Sequence, residues 1–161
     1  MVTLRAWRPD DRWLLDRTNT SEMTAFLGGP ETAEQLDDRH ARYLDLPSDG
    51  EMFVVLDGET AVGTTGYWEH NESDDVVWET GWAVLPEFQR RGYARQAVEA
   101  VIARTTDVRR HRSLHAYPSV ENVASNELCR RSGFTLIGPS RFEYPKGHWM
   151  TCNDWAHALE Y

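Results

Sequence analysis

One stretch constrains this chain more than any other: Glu79 to Ala94, ETGWAVLPEFQRRGYA. Trp82, Ala83, Val84 and Leu85 suit a buried strand, and Pro86 cannot continue an interior ladder because it has no N–H to donate. Beyond it, Ala94, Ala97, Val98, Val101 and Ile102 recur at i, i+3, i+4, i+7 and i+8, the spacing of one helix face. The apolar period switches from two to 3.6 across Gln89-Arg90-Arg91-Gly92, which predicts a strand, a polar loop and the start of a helix. A loop that ends at a helix N-terminus aims unpaired backbone N–H groups one way, and the helix dipole adds partial positive charge there. An anion such as a phosphate is the natural guest. Gly92 lets the backbone come close to it, and Arg90 and Arg91 add full charges and several donors.

The flanks read as alternating short elements. Val2 to Trp7 alternates at period two, a first strand, and Pro9 with Asp10 and Asp11 opens a helix carrying Trp13, Leu14 and Leu15. After the break at Gly28-Gly29-Pro30, Glu31 to Leu46 reads as a second helix with Ala33, Leu36, His40, Tyr43 and Leu44 inward, ended by Pro47 and a Ser48-Asp49-Gly50 turn. Met52 to Leu56 is a strand, Asp57-Gly58 a hairpin signal, Ala61 to Glu69 the returning strand, and Asn71 to Asp75 a second turn. The helix from Tyr93 to about Thr106 leads to a strand at His111 to Tyr117, making a parallel βαβ unit. Asn122 or Glu121 starts a last helix that Gly133 stops. The expected fold class is α/β: a mixed, mostly antiparallel central sheet flanked by helices, one domain across residues 1–161.

Length and composition exclude several classes. A chain of 161 residues can bury a sizeable core without disulfides or metals. The longest apolar run, Met52 to Leu56, is far short of the ~20 residues of a membrane helix, and the N-terminus has no signal-peptide core. Cys129 and Cys152 lack CxxC spacing and a His partner at ligand spacing, so two free thiols, no metal and a cytoplasmic protein are expected. The net charge of −9 is polarised: residues 1–88 carry 19 acids against 6 basic residues, and residues 89–161 carry 7 against 11. Such a split suits a cationic amine at one end and a polyphosphate at the other, or simply solvated faces. No basic stripe interleaved with aromatics points to nucleic acid, and no Gly-x-x-x-x-Gly-Lys-Ser/Thr loop points to a nucleotide hydrolase.

Gln89-Arg90-Arg91-Gly92-Tyr93-Ala94 resembles the Gln/Arg-x-x-Gly-x-Gly/Ala pyrophosphate loop of the GNAT superfamily of acetyl-CoA-dependent N-acetyltransferases. A second segment, ENVASNELCRRSGF from Glu121 to Phe134, is similar to the family pattern in which an Asn and a Ser or Ala, here Asn122 and Ser125, lie along the pantetheine arm and Gly-Phe, here Gly133-Phe134, opens the next strand. Met23 to Pro30 and the tail from Arg141 to Trp155 resemble the ends of the ribosomal-protein alanine acetyltransferase group, so the likeness spans nearly the whole chain. It implies that the key strand and His111–Tyr117 splay apart. Acetyl-CoA would then lie in the gap on Trp82, Ala83 and Val84, on the loop Gln89 to Ala94, and on Asn122, Ser125 and Cys129.

The reaction so implied is attack by a primary amine, on a small molecule or a peptide N-terminus, at the acetyl thioester. The amine must be neutral, the carbonyl oxygen stabilised and the departing thiolate helped by a proton. Glu79 stands at the family's carboxylate position and is the expected base, acting directly or through water; the plainer reading is a strand-end carboxylate that pairs with an Arg or attracts the amine. Many relatives carry Tyr where Cys129 stands. Either Cys129 is merely core, or Ser125 or a water protonates the thiolate; the missing Tyr also makes possible a catalytically weak acyl-CoA-binding module that regulates a partner. His111, His115 and His148, with Trp68 and Trp149, are further cleft candidates, and a homodimer is compatible with the sequence.

Overall fold

The computed structural model describes residues 1–46, 49–143 and 146–161. Its strands are β1 (Thr3–Ala6), β2 (Gly50–Asp57), β3 (Thr60–Glu72), β4 (Asp75–Val84), β5 (Ser113–Ala116), β6 (Thr135–Glu143) and β7 (Trp149–Ala158). Its helices are α1 (Arg12–Thr18), α2 (Ala33–Leu44), α3 (Tyr93–Val108) and α4 (Val123–Arg131). The strands form one sheet in the order β1-β2-β3-β4-β5-β7-β6. Every neighbouring pair is antiparallel except β4 and β5, which the α3 crossover makes parallel.

Alternation along the strands sorts side chains into two layers. Trp78 of β4, Leu114 and Ala116 of β5 and Trp155 of β7 pack with Val98 and Val101 of α3 and Cys129 of α4. On the opposite face, Met52 and Val54 of β2 and the half-buried Trp68 of β3 pack with Leu14 and Leu15 of α1 and Leu36 of α2. Each fully buried aliphatic side chain stabilises the fold by roughly 1.5–3 kcal/mol, so the two layers hold the sheet from both sides.

The expected meander is present with shifted edges. The first hairpin turns through Gly58 and Glu59, with Gly58 at φ +61° and Asp57 facing Thr60. β3 runs on to Glu72, so the second turn narrows to Ser73 and Asp74. The strand expected from His111 starts only at Ser113, which leaves His111 outside it, hydrogen-bonded to Glu69 and packed edge-on against Trp78. In α2, Thr32 caps the N-terminus and exchanges hydrogen bonds with Gln35. Leu36 is buried and His40 and Tyr43 are half-buried, whereas Ala33 and Leu44, expected inward, are exposed because they sit in the end turns, beyond the reach of the sheet. Pro47 and Ser48 of the expected stop signal, and Tyr144 and Pro145 of the tail, lie outside the described residues.

Candidate active site

The parallel ladder between β4 and β5 is short. It pairs Trp78 with Leu114, Glu79 with His115 and Thr80 with Ala116, and β5 then ends. β4 continues from Gly81 to Val84 with β3 alone as partner, Thr65 facing Trp82 and Gly63 facing Val84. One edge of Gly81–Val84 is thus open in the middle of a seven-stranded sheet, and Trp82, Ala83 and Val84 are half-buried there. An extended amide-bearing chain can occupy such an edge as an extra strand.

The loop after β4 turns back on that slot. Pro86–Phe88 form one 3-10 turn, and the Gln89 side-chain amide donates to the Val84 carbonyl at 3.0 Å. Arg90 has φ +64° and Gly92 φ +82°, two left-handed residues on either side of Arg91. For Arg90 that backbone is costly, a strain of the kind found at ligand clamps. Gly92 is the N-cap of α3, and the first bond inside the helix is Gln96 N–H to Gly92 O at 3.2 Å. N–H groups ahead of Gln96 are left for another partner, beside the exposed Arg90 and Arg91.

α4 forms the far wall. Asn122 caps it, its Oδ1 accepting from the Ser125 N–H at 3.2 Å, so the two second-motif residues touch each other. Asn126, which the sequence reading passed over, fixes the helix in place. Its amide donates to the Ser119 and Asn122 carbonyls at 2.9 and 2.8 Å, and its oxygen accepts from Asn153 and Trp155 of β7 at 2.8 and 2.9 Å. Cys129 is 0% exposed within the α3/α4 layer, and burial pushes its thiol up to about 12, an environment that suits a core side chain.

Glu79 lies on the other face of β4, opposite Trp78 and Thr80, with its side chain 18% exposed. Burial pushes its carboxyl up to about 7; a hydrogen bond from Trp68 opposes the rise and the charge of Glu72 adds to it. The Trp68 ring covers the next exit from the strand, since a Cβ on Gly81 would stand 3.2 Å from it. Around Glu79 gathers a group that no local motif announced. His70 Nδ1 is 3.4 Å from Glu79 Oε1, and His70 Nε2 is 3.6 Å from Glu72 Oε2. Tyr117 donates its hydroxyl to Glu72, and its ring meets His70, His115 and Phe142. His115, a sequence candidate, is buried with Nδ1 2.6 Å from Asp154 Oδ1 and Nε2 3.1 Å from Ser113 Oγ. Cys152 is close enough for Glu79's charge to add to the upward shift that burial gives its thiol.

Among the described residues, Glu72, Glu79 and Asp154 form ion pairs with histidine only, never with Arg or Lys. Ligand atoms of Glu72, His115 and Asp154 come within 4.8 Å of one another, although each already has a hydrogen-bond partner. His148 and Trp149 are exposed at the start of β7, where the Arg141 guanidinium stands 5.1 Å from the Trp149 ring. The only sequence signal for His70, Glu72, Tyr117 and Asp154 was their parity along their strands, which is visible only once the pairing register is known.

The open edge beside the parallel pair and the left-handed loop at the start of α3 lie where the resemblance to acyl-CoA-dependent transferases expects the cofactor. The chain belongs to the GNAT family: the family described as Acetyltransferase (GNAT) domain matches residues 1–135. It is accordingly an N-acetyltransferase that takes its acetyl group from acetyl-CoA. No curated protein matches the sequence. Solved structures share the fold. The Salmonella typhimurium acetyltransferase that modifies the N-terminal serine of 50S ribosomal subunit protein L7/L12 is 19% identical, with TM-score 0.80 over 99% of this chain and 95% of that one. Spermidine N-acetyltransferase from Vibrio cholerae, solved with CoA and spermine, is 20% identical, with TM-score 0.80 over 98% and 95%. Aminoglycoside acetyltransferase AAC(6')-Ib, solved with coenzyme A, is 16% identical, with TM-score 0.79 over 98% and 95%.

Proposed function

We propose that Glu79 is the general base of a direct acetyl transfer from acetyl-CoA to a primary amine. The observation that carries this reading is a carboxyl pushed up to about 7 within the short β4/β5 ladder, one residue before its last pair, Thr80 with Ala116. A base works best when its pKa lies near the working pH, and among the described residues no Arg or Lys pairs with this carboxyl to pull its pKa down. The loop from Gln89 to Ala94 binds the pyrophosphate, the open edge at Trp82 to Val84 holds the amide-bearing arm, and Asn122 and Ser125 flank it. A backbone N–H on that edge stabilises the carbonyl oxygen as charge develops. With Cys129 sealed away, Ser125 or water protonates the departing thiolate.

The acceptor is a cation before it reacts. Among the described residues Glu72, Glu79 and Asp154 pair with no Arg or Lys, which favours an ammonium guest, and the chain is similar in fold to enzymes for a protein N-terminus and for spermidine. We read the enzyme as cytoplasmic, acting on soluble small amines or peptide N-termini rather than on nucleic acid. No helix of the described residues is long and apolar enough to cross a membrane. The test is release of free CoA thiol from acetyl-CoA with a panel of polyamines and N-terminal peptides. At least one amine should give turnover above the hydrolysis background. Tight acetyl-CoA binding with no turnover on any amine would favour the regulatory module instead, a reading that the buried Cys129 at the usual acid position supports.

A further inference from the structure

Base catalysis by a half-sealed carboxyl poses a problem that the reaction itself does not solve. Each turnover leaves a proton on Glu79, whose side chain is only 18% exposed, and the next turnover needs that proton gone. We propose that His70 is a relay that carries the proton from Glu79 to Glu72 and so to solvent. This rests on Glu79 being the base.

His70 lies between the two carboxylates, Nδ1 3.4 Å from Glu79 and Nε2 3.6 Å from Glu72. Those gaps are slightly longer than formed hydrogen bonds, as is common for catalytic contacts before substrate is bound. The Glu72 side chain is the most open of the three at 35% exposed. The ring is held on both sides, stacked on Phe142 of β6 at 5.4 Å and edge-on to Tyr117 at 5.0 Å, so both nitrogens stay aimed along one line. The ionisable groups around it come from every neighbouring strand: Glu72 of β3, Glu79 of β4, His115 of β5, Tyr117 after β5 and Asp154 of β7. Burial, with His115 adding to it, lowers the His70 pKa against the pull of Glu72 and Asp154. A ring that gives up its proton readily suits a relay rather than a store.

The steps balance. The reacting amine loses one proton to Glu79. The Glu79 O–H bond then breaks as its proton joins the Nδ1 lone pair, the Nε2 proton passes to a Glu72 oxygen, and Glu72 releases it to water. Tautomerisation through water, one proton lost from Nδ1 and one gained at Nε2, then restores the acceptor nitrogen facing Glu79 without moving the ring. Nothing is oxidised or reduced, and the net change is one proton moved from amine to solvent.

His70→Gln keeps a planar polar side chain that cannot carry a proton. By rapid quench, its first turnover should match the unaltered enzyme, and later turnovers should slow about tenfold, less than the roughly 10²–10⁴ of a lost general base because water still carries the proton away slowly. The resulting burst should be of one product per site. Imidazole at tens of millimolar should restore the steady rate, and the acetyl-CoA Kd should not move. Glu72→Gln leaves the ring packing intact and should show the same burst with a smaller slowing, answered by the same buffers, so the proposal does not depend on one variant's folding. Steady-state rates unchanged in both variants, or a loss that imidazole and buffer leave untouched, would overturn the relay. If Glu79→Gln is fully active, the base assignment itself has failed. If Glu79→Gln is crippled while His70→Gln is normal, only the relay has.

Discussion

The proposed donor loop and the proposed acceptor cluster are built by opposite means. From Gln89 to Ala94 the site is contiguous, exposed and made of backbone, with Arg90 and Gly92 in left-handed conformations and free N–H groups at the start of α3. Around Glu79 it is dispersed, largely buried and made of side chains drawn from β3, β4, β5, β6 and β7. A phosphate needs only charge and N–H groups, which a short run of chain can supply. A proton at neutral pH needs a tuned environment, and burial by distant strands supplies that.

The comparison predicts that the two regions can be damaged separately. Glu79→Gln keeps the shape and removes the basicity, so kcat/KM should fall by roughly 10²–10⁴ while the acetyl-CoA Kd, measured by titration calorimetry, stays within twofold. In the unaltered enzyme the rate should rise with pH through about 7 and then level, because the base must lose its proton to work. Loss of acetyl-CoA binding in Glu79→Gln would show that the regions are one.

The same substitution should gain stability, and the sign follows from linkage. The folded carboxyl titrates near 7, above its ordinary value of 4.5, so the folded state holds the proton more tightly. The stability this contributes is present at low pH and lost as pH rises through about 7. At pH 8 Glu79→Gln should therefore be more stable than the parent by about 1–3 kcal/mol, with a much smaller difference at pH 5, as read by Tm. Equal Tm values at both pH values would mean the carboxyl is not strained by its surroundings.

Gly92→Val attacks the other region. At φ +82° a β-branched residue is strained, although space exists, since an added Cβ would meet only Gln96 at 4.0 Å. The acetyl-CoA Kd should rise about tenfold, about 1.4 kcal/mol, with the pH midpoint of the rate unmoved. The smallest effect is expected from Cys129→Ala. Loss of a packed thiol should cost about 1 kcal/mol of stability, with kcat within twofold and the pH dependence of the rate unchanged. A folded Cys129→Ala enzyme with no activity would restore the thiol to the chemistry.

How much could be read from the sequence follows from the same division. The donor loop, the α3 stripe of Ala97, Val98 and Val101, and the Asn122 cap were legible because each lies within a few residues of its own partners. Glu79 was legible as a position in the family pattern but not as a carboxyl near 7, which arises from Trp68, Glu72 and burial. His70, Glu72 and Asp154 looked like ordinary polar residues near strand ends. Only the register Trp68 to Glu79 and His115 to Ala156 brings them to one face. His111 misled for the same reason: its parity suggested the cleft, but β5 begins after it. Cys129 needed the packing of α4 on β5 and β7 before core and cofactor readings could be separated.

The three-residue ladder between β4 and β5 also divides the molecule mechanically. On one side lie β1 to β4 with α1 and α2, and on the other β5, β7, β6 and α4, with α3 lashed across the join through Val98 and Val101. Such a seam is where a domain opens first, since backbone bonds across it are few. A ligand threaded into the slot adds rungs to that seam and fastens the two halves together. Donor binding should therefore slow amide exchange on both sides of the gap, in Gly81 to Val84 and in Leu114 to Ala116, and an enzyme starved of acetyl-CoA would be the looser, more readily digested form of itself.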